Sequence, residues 1–365
     1  MQHGILIIGE DIILNSSFLS YIYEKYEDYF GEKGVINYIN KNDKNLPFSI
    51  EHYTFSYDIL TIFTTDDNYH IASKILATLT SDILELKDGM LVPSRVSKFT
   101  NGSFIVKINN AEVNLINANP TSELPIFLSD FERNFAYFSI FDLDSESAKI
   151  LLEPLAKTYD ITINLSQIVT NWTIIRAEEN KFGQIEGFLQ SAKTLFSQKI
   201  ILQKDPIKHI ANTLIKKGLK ITFAESCSCG LLAAKFGSYG GVSAAFNGSL
   251  VTYANDIKST WLGVKQSTLE TYGAVSSQCI EEMINGALIA SGADFALAIS
   301  GIAGPDGGSI EKPVGTVFIG SGSKDGSINV ERFFLKGNRD YIREQSTILA
   351  FLSLIRLKSE LFFDE

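Results

Sequence analysis

The sequence predicts a multidomain α/β protein built on three-layer α/β sheets, and three observations predict it. Short apolar strand patterns alternate with segments of helical periodicity along the chain. At 365 residues the chain exceeds one average domain, so two or three are expected. Glycine is unevenly spread: 8 of the 27 lie in residues 1–204 and 19 in 205–365, with none between Gly34 and Gly89. A loop that cradles a ligand needs glycine where backbone approaches closely or takes positive φ, so site chemistry is expected in the second half.

Composition narrows the class. The 45% hydrophobic content and mean hydropathy of +0.09 suit a well-cored globular chain. No segment reaches the apolar length of about 18 residues that a membrane span needs. The opening "MQHGILIIGEDIILN" carries Glu10 and Asp11 and no basic leader, so a first strand is expected there rather than a signal peptide. Three cysteines suit a reducing compartment, and a cytoplasmic location is expected. The net charge of −10 argues against nucleic-acid binding through bulk electrostatics, while leaving room for a local basic pocket that takes a phosphate.

The elements follow in order. "GILIIG" (4–9) and "DILTIFTT" (58–65) read as buried strands. "NYHIASKILATLTSDIL" (68–84) has helical spacing at Ile71, Ile75 and Leu76. The pattern restarts near Tyr137. "YFSIFDL" is a strand, "SESAKILLEPLAKTY" a helix, "DITINLSQI" and "NWTIIRAE" are strands, and "FGQIEGFLQSAKTLFS" (182–197) is a helix. A third part opens with a helix that Asp205 caps and Pro206 begins. Its apolar stripe is Ile207, Ile210, Ala211, Leu214 and Ile215, and Gly218 stops it. The strand "KITFA" leads into "ESCSCG", and a helix follows.

That junction carries the chemistry. Ligands sit at the carboxyl ends of strands in open α/β sheets, and Ser226 stands there, at the start of a helix whose free N–H groups favour an anion. Alone, Ser226 suits an N-cap, and the cysteines suit small buried filler. A Cys227–Cys229 disulfide is not expected between such near neighbours. Cys-x-Cys is not a usual zinc spacing, and Cys279 and His209 are the other candidates in this part, so no metal is expected. A nucleophilic Ser226 needs a base. His209 lies on the helix before the strand, near the opposite end of the sheet, which leaves lysine or tyrosine. "NGSLVTYANDIK" reads as a strand with Tyr253 and Lys258 at its end; alone these are a packed aromatic and a solvated lysine. "FALAIS" is a strand, and "GIAGPDGG" a loop before the strand "GTVFIG". No helix follows that loop, so it is neither a dinucleotide fingerprint nor a Walker loop, but its glycines suit close approach of a ribose phosphate. Nearby Lys312 reads as solvated. Arg339 and Arg343 share one face at the start of the last helix, a pair able to grip a phosphate bidentately, or a solvated face when taken alone.

Four blocks, "AESCSCGLLA", "GSLVTYANDIKSTWLGV", "YGAVSSQ" and "SGIAGPDGGSIEKPVGTVFIG", together resemble the C-terminal domain of the CinA family (competence/damage-inducible protein). The resemblance implies a nicotinamide mononucleotide deamidase over residues 205–365. Its catalytic serine, tyrosine and lysine fall on Ser226, Tyr253 and Lys258. Substrate contacts are expected from Cys227, Ser228, Gly230, Gly301, Gly304, Gly307, Arg339 and Arg343. The family block Glu-Ser-Cys-Thr-Gly-Gly is altered here: Ser228 keeps a hydroxyl, and Cys229 adds a side chain where the family has glycine. The resemblance also implies a molybdopterin-cofactor-biosynthesis-like domain (1–135) and a KH-like α+β middle subdomain (136–204). The family's Gly-Gly-Leu-Gly-Pro-Thr-x-Asp-Asp motif falls on "TIFTTDDNYHIA", which keeps Asp66 and Asp67 and no glycine. Side chains there would obstruct a pyrophosphate, so this domain is expected to be degenerate and kept for dimerisation or scaffolding. The expected activity yields nicotinic acid mononucleotide and ammonia with no metal or organic cofactor, in a homodimer whose partner is a small nucleotide and not a nucleic acid or membrane. The alternatives are a non-catalytic scaffold and a metal-dependent ADP-ribose pyrophosphatase.

Overall fold

His3–Ile8 is buried at every position, as a central parallel strand is when helices cover both its faces. It is β1 of a computed structural model that describes residues 1–131, 134–181 and 183–363 and divides into two units, Met1–Arg133 and Asn134–Glu365. The first unit continues through α1 (Glu10–Ile13), α2 (Ser16–Phe30), β2 (Val35–Ile39), α3 (Leu46–Ser56), β3 (Ile59–Thr64) and α4 (Asp66–Leu79). A hairpin of β4 (Leu84–Lys87) and β5 (Met90–Pro93) precedes β6 (Lys98–Thr100), β7 (Ser103–Ile108) and β8 (Ala111–Asn117). The sheet order is β2-β1-β3-β8-β7-β6, parallel through β8 and antiparallel beyond. Alternate residues of β1 feed two cores, Leu6 and Ile8 into one and Ile5 and Ile7 into the other, which gives the three layers. Ile71, expected in the apolar stripe of α4, is 45% exposed. The buried face is instead Tyr69, Ala72, Ser73 and Leu76, the i, i+3, i+4, i+7 set one position out of phase with it.

The second unit opens with β9 (Phe135–Phe141), α5 (Ser145–Thr158), β10 (Ile161–Val169), β11 (Trp172–Glu179), α6 (Ile185–Leu195) and β12 (Ile200–Ile201). These form an antiparallel sheet, β10-β11-β9-β12, with α5 and α6 packed on Phe138, Ile140 and Ile175. Asp144 caps α5 by accepting the Ser147 N–H at 2.8 Å. Phe182, where the sequence begins the second helix, lies outside the described residues.

The remaining elements are α7 (Pro206–Lys217), β13 (Ile221–Glu225), α8 (Leu231–Gly237), a 3₁₀ turn (Val242–Ala244), β14 (Phe246–Val251), α9 (Asn255–Leu262), α10 (Gln266–Thr271), α11 (Ser277–Ser291), β15 (Phe295–Gly301), β16 (Thr316–Ser323), β17 (Ile328–Phe334), α12 (Arg339–Leu357) and α13 (Ser359–Phe362). Asp205 caps α7 by accepting from Ile207 and Lys208, and Gly218 closes it in the left-handed region, as predicted. The sheet order is β14-β13-β15-β16-β17. Its first three strands are parallel, and β16 and β17 are antiparallel to their neighbours. One face packs on α7, α8 and α12, the other on α9, α10 and α11. The first of these cores also takes in Phe141, Val169 and Trp172, with the Phe141 ring 5.1 Å from Trp172 and 5.8 Å from Phe363. Arg356 on α12 ties Asp142 to Glu331. The middle segment keeps its own sheet and core and also lends Phe141, Val169 and Trp172 to the core of the part that follows. No described helix is long and apolar enough to cross a membrane.

Helix α11 lies close on its neighbours because small residues permit it. A Cβ at Gly286 would stand 1.9 Å from the Leu262 carbonyl oxygen at the end of α9. Gly286→Ala is therefore expected to push α9 away and destabilise the second unit by about 2 kcal/mol, the range for overpacking against a fixed backbone. Gly237→Ala, with no atom within 4 Å, should change stability by less than about 1 kcal/mol. Denaturant midpoints of the two variants check this, and equal shifts would refute the close-contact reading.

Candidate active site

The carboxyl end of β13 is held from both sides. The Ser226 N–H donates to the Ile299 carbonyl on β15 at 3.0 Å, and the Thr252 N–H donates to the Glu225 carbonyl at 2.8 Å. A tight turn follows, with the Cys229 N–H on the Ser226 carbonyl (3.1 Å) and the Leu231 N–H on the Ser228 carbonyl (3.2 Å). Cys229 sits in the left-handed region at φ 53°, which favours glycine, and its side chain is exposed. That is the physical content of the substitution noted in the sequence: the added side chain strains the turn and points outward.

Two expectations change here. Helix α8 begins at Leu231, so Ser226 stands a full turn before it and is not its N-cap. The N–H groups at the helix start are also taken. Glu225, fully buried, accepts from Leu232 (3.1 Å), Ala233 (3.1 Å) and the Ser249 hydroxyl (2.8 Å). Within the turn, the N–H groups of Cys227, Ser228 and Gly230 donate to no oxygen among the described residues. The sequence reading missed Glu225. Its signal was a single acidic residue closing the apolar strand "ITFA", since a buried carboxylate requires donors.

Lys258 is also placed differently from the expectation. Strand β14 ends at Val251, and Lys258 lies in the first turn of α9 rather than at a strand end. It is 1% exposed, not solvated. Its Nζ donates to the carbonyls of Thr252 (2.8 Å) and Tyr253 (2.9 Å), the link between β14 and α9. Desolvation lowers its pKa below the ordinary lysine value, against smaller opposing effects of Cys279 and Cys227. Ser226 is 9% exposed, and its hydroxyl makes no hydrogen bond to Lys258 in this structure. Such contacts are often long without substrate and tighten when it binds.

The arginines join the loops. Arg339 donates to the Gly304 carbonyl (2.8 Å) and the Tyr253 hydroxyl (3.0 Å); Arg343 donates to the Ser228 carbonyl (2.9 Å) and to Asp340 (3.1 Å). Tyr253, read from sequence as a packed aromatic, has its side chain at the surface, 55% exposed. Burial pushes the Cys227 thiol up to about 11, although Arg339, Arg343 and Lys258 all act on it in the opposite direction. Three cations therefore converge beside Ser226 in a chain of net charge −10. Ser228 Oγ, Thr252 Oγ1 and Arg343 Nε are buried there without partners, the kind of unsatisfied polar groups that mark a ligand site. Of the loop glycines, Gly301 is packed against Thr316 and Val317 and Gly304 against Val314, while Gly307 is exposed. Gly230 precedes α8 at φ 90°. Lys312 is not simply solvated: it donates to the Tyr272 carbonyl at 2.8 Å.

Other candidates stand apart. His209 Nε2 lies 2.9 Å from the Phe362 carbonyl, among buried groups. All three cysteines are free thiols. In the first unit Asp67 pairs with Lys41 and Asp66 accepts from Asn117. Asp66 and Glu123 line a cleft of about 470 Å³ that, among the described residues, carries no lysine or arginine, a poor match for a pyrophosphate. Among the described residues no group of three or more His, Cys, Asp or Glu side chains is placed to hold a metal ion.

Comparison with known proteins bears on the second unit. The sequence model of the CinA C-terminal domain matches residues 203–358. A nicotinamide-nucleotide amidohydrolase PncC of Enterobacter agglomerans is 47% identical over 147 residues, 40% of this chain and 90% of that protein. A CinA-like protein of Thermosipho melanesiensis is 45% identical over 153 residues, 41% of this chain and 38% of that protein. A putative competence-damage inducible protein of Acetivibrio thermocellus is 36% identical over 214 residues, 58% of this chain and 50% of that protein. Among solved structures, a competence/damage inducible protein CihA from Agrobacterium tumefaciens is 40% identical with a TM-score of 0.40, covering 42% of this chain and 96% of that one.

The burial of Lys258 has a measurable sign. Its pKa is lower folded than unfolded, so the charged side chain destabilises the fold fully below the folded pKa. That penalty fades as pH rises towards about 10.5. The stability of wild type relative to Lys258→Met is therefore expected to increase with pH from neutrality upward. Urea midpoints at about pH 7 and about pH 9.5 test it, and a difference that stays flat or shrinks would contradict the buried ammonium.

Proposed function

The chain belongs to the CinA family, and from that premise we propose that its C-terminal domain is a nicotinamide-nucleotide amidohydrolase that converts nicotinamide mononucleotide to nicotinic acid mononucleotide and ammonia. The observation that carries the reading is Lys258, buried in α9, bonded only to backbone carbonyls, its charged form disfavoured, and acting on the thiol of Cys227, the residue after Ser226. Two N–H bonds to carbonyls use two of the amine's positions, so the neutral form keeps a lone pair free to accept a proton.

In this reaction Ser226 Oγ attacks the carboxamide carbon as its proton passes to Lys258. The oxyanion is met by the N–H groups of Cys227 and Ser228. The proton then moves from Lys258 to the departing nitrogen, the C–N bond breaks, and ammonia leaves an acyl-serine. Water, deprotonated by the again neutral Lys258, adds to the acyl carbon; the ester bond to Ser226 breaks, Ser226 Oγ takes the proton back from Lys258, and the acid product leaves and ionises to the carboxylate. Arg339 and Arg343 supply charge for the nucleotide phosphate, and Tyr253 holds Arg339 through its hydroxyl. No step calls for a metal or organic cofactor.

Ser226→Ala is expected to abolish ammonia release from the mononucleotide while leaving the fold intact, because Ser226 Oγ makes no bond that the fold relies on. An ammonia assay with circular dichroism as the folding control decides it, and near-normal turnover would remove Ser226 from the mechanism. It also separates the reading from a non-catalytic scaffold, which would give no ammonia in wild type.

Lys258→Arg keeps the positive charge but cannot serve as a base, since its pKa exceeds about 12. Turnover should fall at least about 1000-fold, within the range assigned to general-base loss. Retention within about tenfold of wild type, or about 1.4 kcal/mol of barrier, would mean that Lys258 acts only through its charge.

A further inference from the structure

Glu225 is the most deeply placed acidic group near the site, and the reaction above makes no use of it. It is fully buried, and no lysine or arginine pairs with it among the described residues. Its two oxygens accept three hydrogen bonds. One oxygen takes the Ala233 N–H and the Ser249 hydroxyl, and the other takes the Leu232 N–H. Its backbone is fixed between Val251 on β14 and Ile299 on β15. The side chain thus starts on a rigid central strand, passes under the turn, and fastens to the first residues of α8. Everything between those two anchor points, Ser226 to Gly230, is the turn that carries the nucleophile.

We infer that Glu225 is a positioning residue: it clamps the start of α8 to the end of β13, and so fixes Ser226 and aims the Cys227 and Ser228 N–H groups at the acyl oxygen. A residue in the left-handed region at Cys229 makes such a clamp necessary, because a turn strained there relaxes unless its ends are held. The clamp also explains why the helix-start N–H groups are not free for substrate. Their acceptor is built into the chain, and the anion-binding role passes to the turn. This inference rests on the amidohydrolase reading of Ser226, so one of its tests does not depend on turnover.

Cys229 is exposed, whereas Cys227 and Cys279 are buried, so native wild-type protein should show one thiol that reacts rapidly with dithionitrobenzoate. Loosening the turn exposes Cys227 and leaves Cys279, on α11, buried. Glu225→Ala is expected to add a second reactive thiol and to lower kcat about 100-fold, the scale of a lost oxyanion donor, with KM changed less than about threefold. Glu225→Gln keeps one acceptor oxygen and sets an NH₂ group against a backbone N–H, so both effects should be smaller but present. If Glu225→Ala does not fold, the glutamine variant decides alone. A folded variant with a single reactive thiol and kcat within about threefold of wild type would overturn the clamp. A wild type that releases no ammonia would sink the amidohydrolase reading, while the thiol count would still judge the clamp.

Discussion

An ammonium group buried among strands must find acceptors, and the C-terminal domain supplies them from a single link of backbone. The carbonyls of Thr252 and Tyr253 face Lys258 because β14 ends at Val251 and α9 starts at Asn255, leaving three residues to turn the chain. That arrangement needs α9 to stay where it is, and α9 is fixed by the contact of its last carbonyl with Gly286. α11 in turn lies low on the sheet over Ala224, Ala296 and Ala298. Small side chains on the sheet, a glycine on a helix and a charged group in a dry site form one chain of cause.

The electrostatics follow from the same geometry. The whole molecule is acidic, yet Lys258, Arg339 and Arg343 act together on the thiol beside Ser226. Arg339 bonds to a carbonyl and a phenol, neither of which neutralises it. A positive centre in an acidic chain attracts small anions over about 10 Å at moderate salt, while the net charge of −10 disfavours polyanions. This is the field a nucleotide monophosphate would meet.

Local rules made part of this legible in the sequence. Asp205, Pro206 and Gly218 marked both ends of α7 through capping and φ preference, which depend on neighbours only. The strand "KITFA" and the serine after it were placed at the right edge of the sheet. Lys258 was misplaced because the link from Val251 to Asn255 is short and the helix start carries no side-chain cap. Glu225 was overlooked because its donors lie at residues 232, 233 and 249, a pairing that tertiary folding alone creates. Arg339 was singled out by its spacing from Arg343, but its bond to Tyr253 spans 86 residues. Periodicity tells which face of a helix is buried, not what the other end of a long side chain will reach.

The shared aromatic core between the middle segment and the C-terminal part carries a consequence for how this gene can be cut. Phe141 and Trp172 complete the packing around Phe363 and Ile207. A fragment that starts at the helix cap Asp205 would carry Ser226, Lys258 and both arginines and still leave that apolar surface bare, inviting self-association. The cleaner boundary for expressing the CinA C-terminal portion falls before β9.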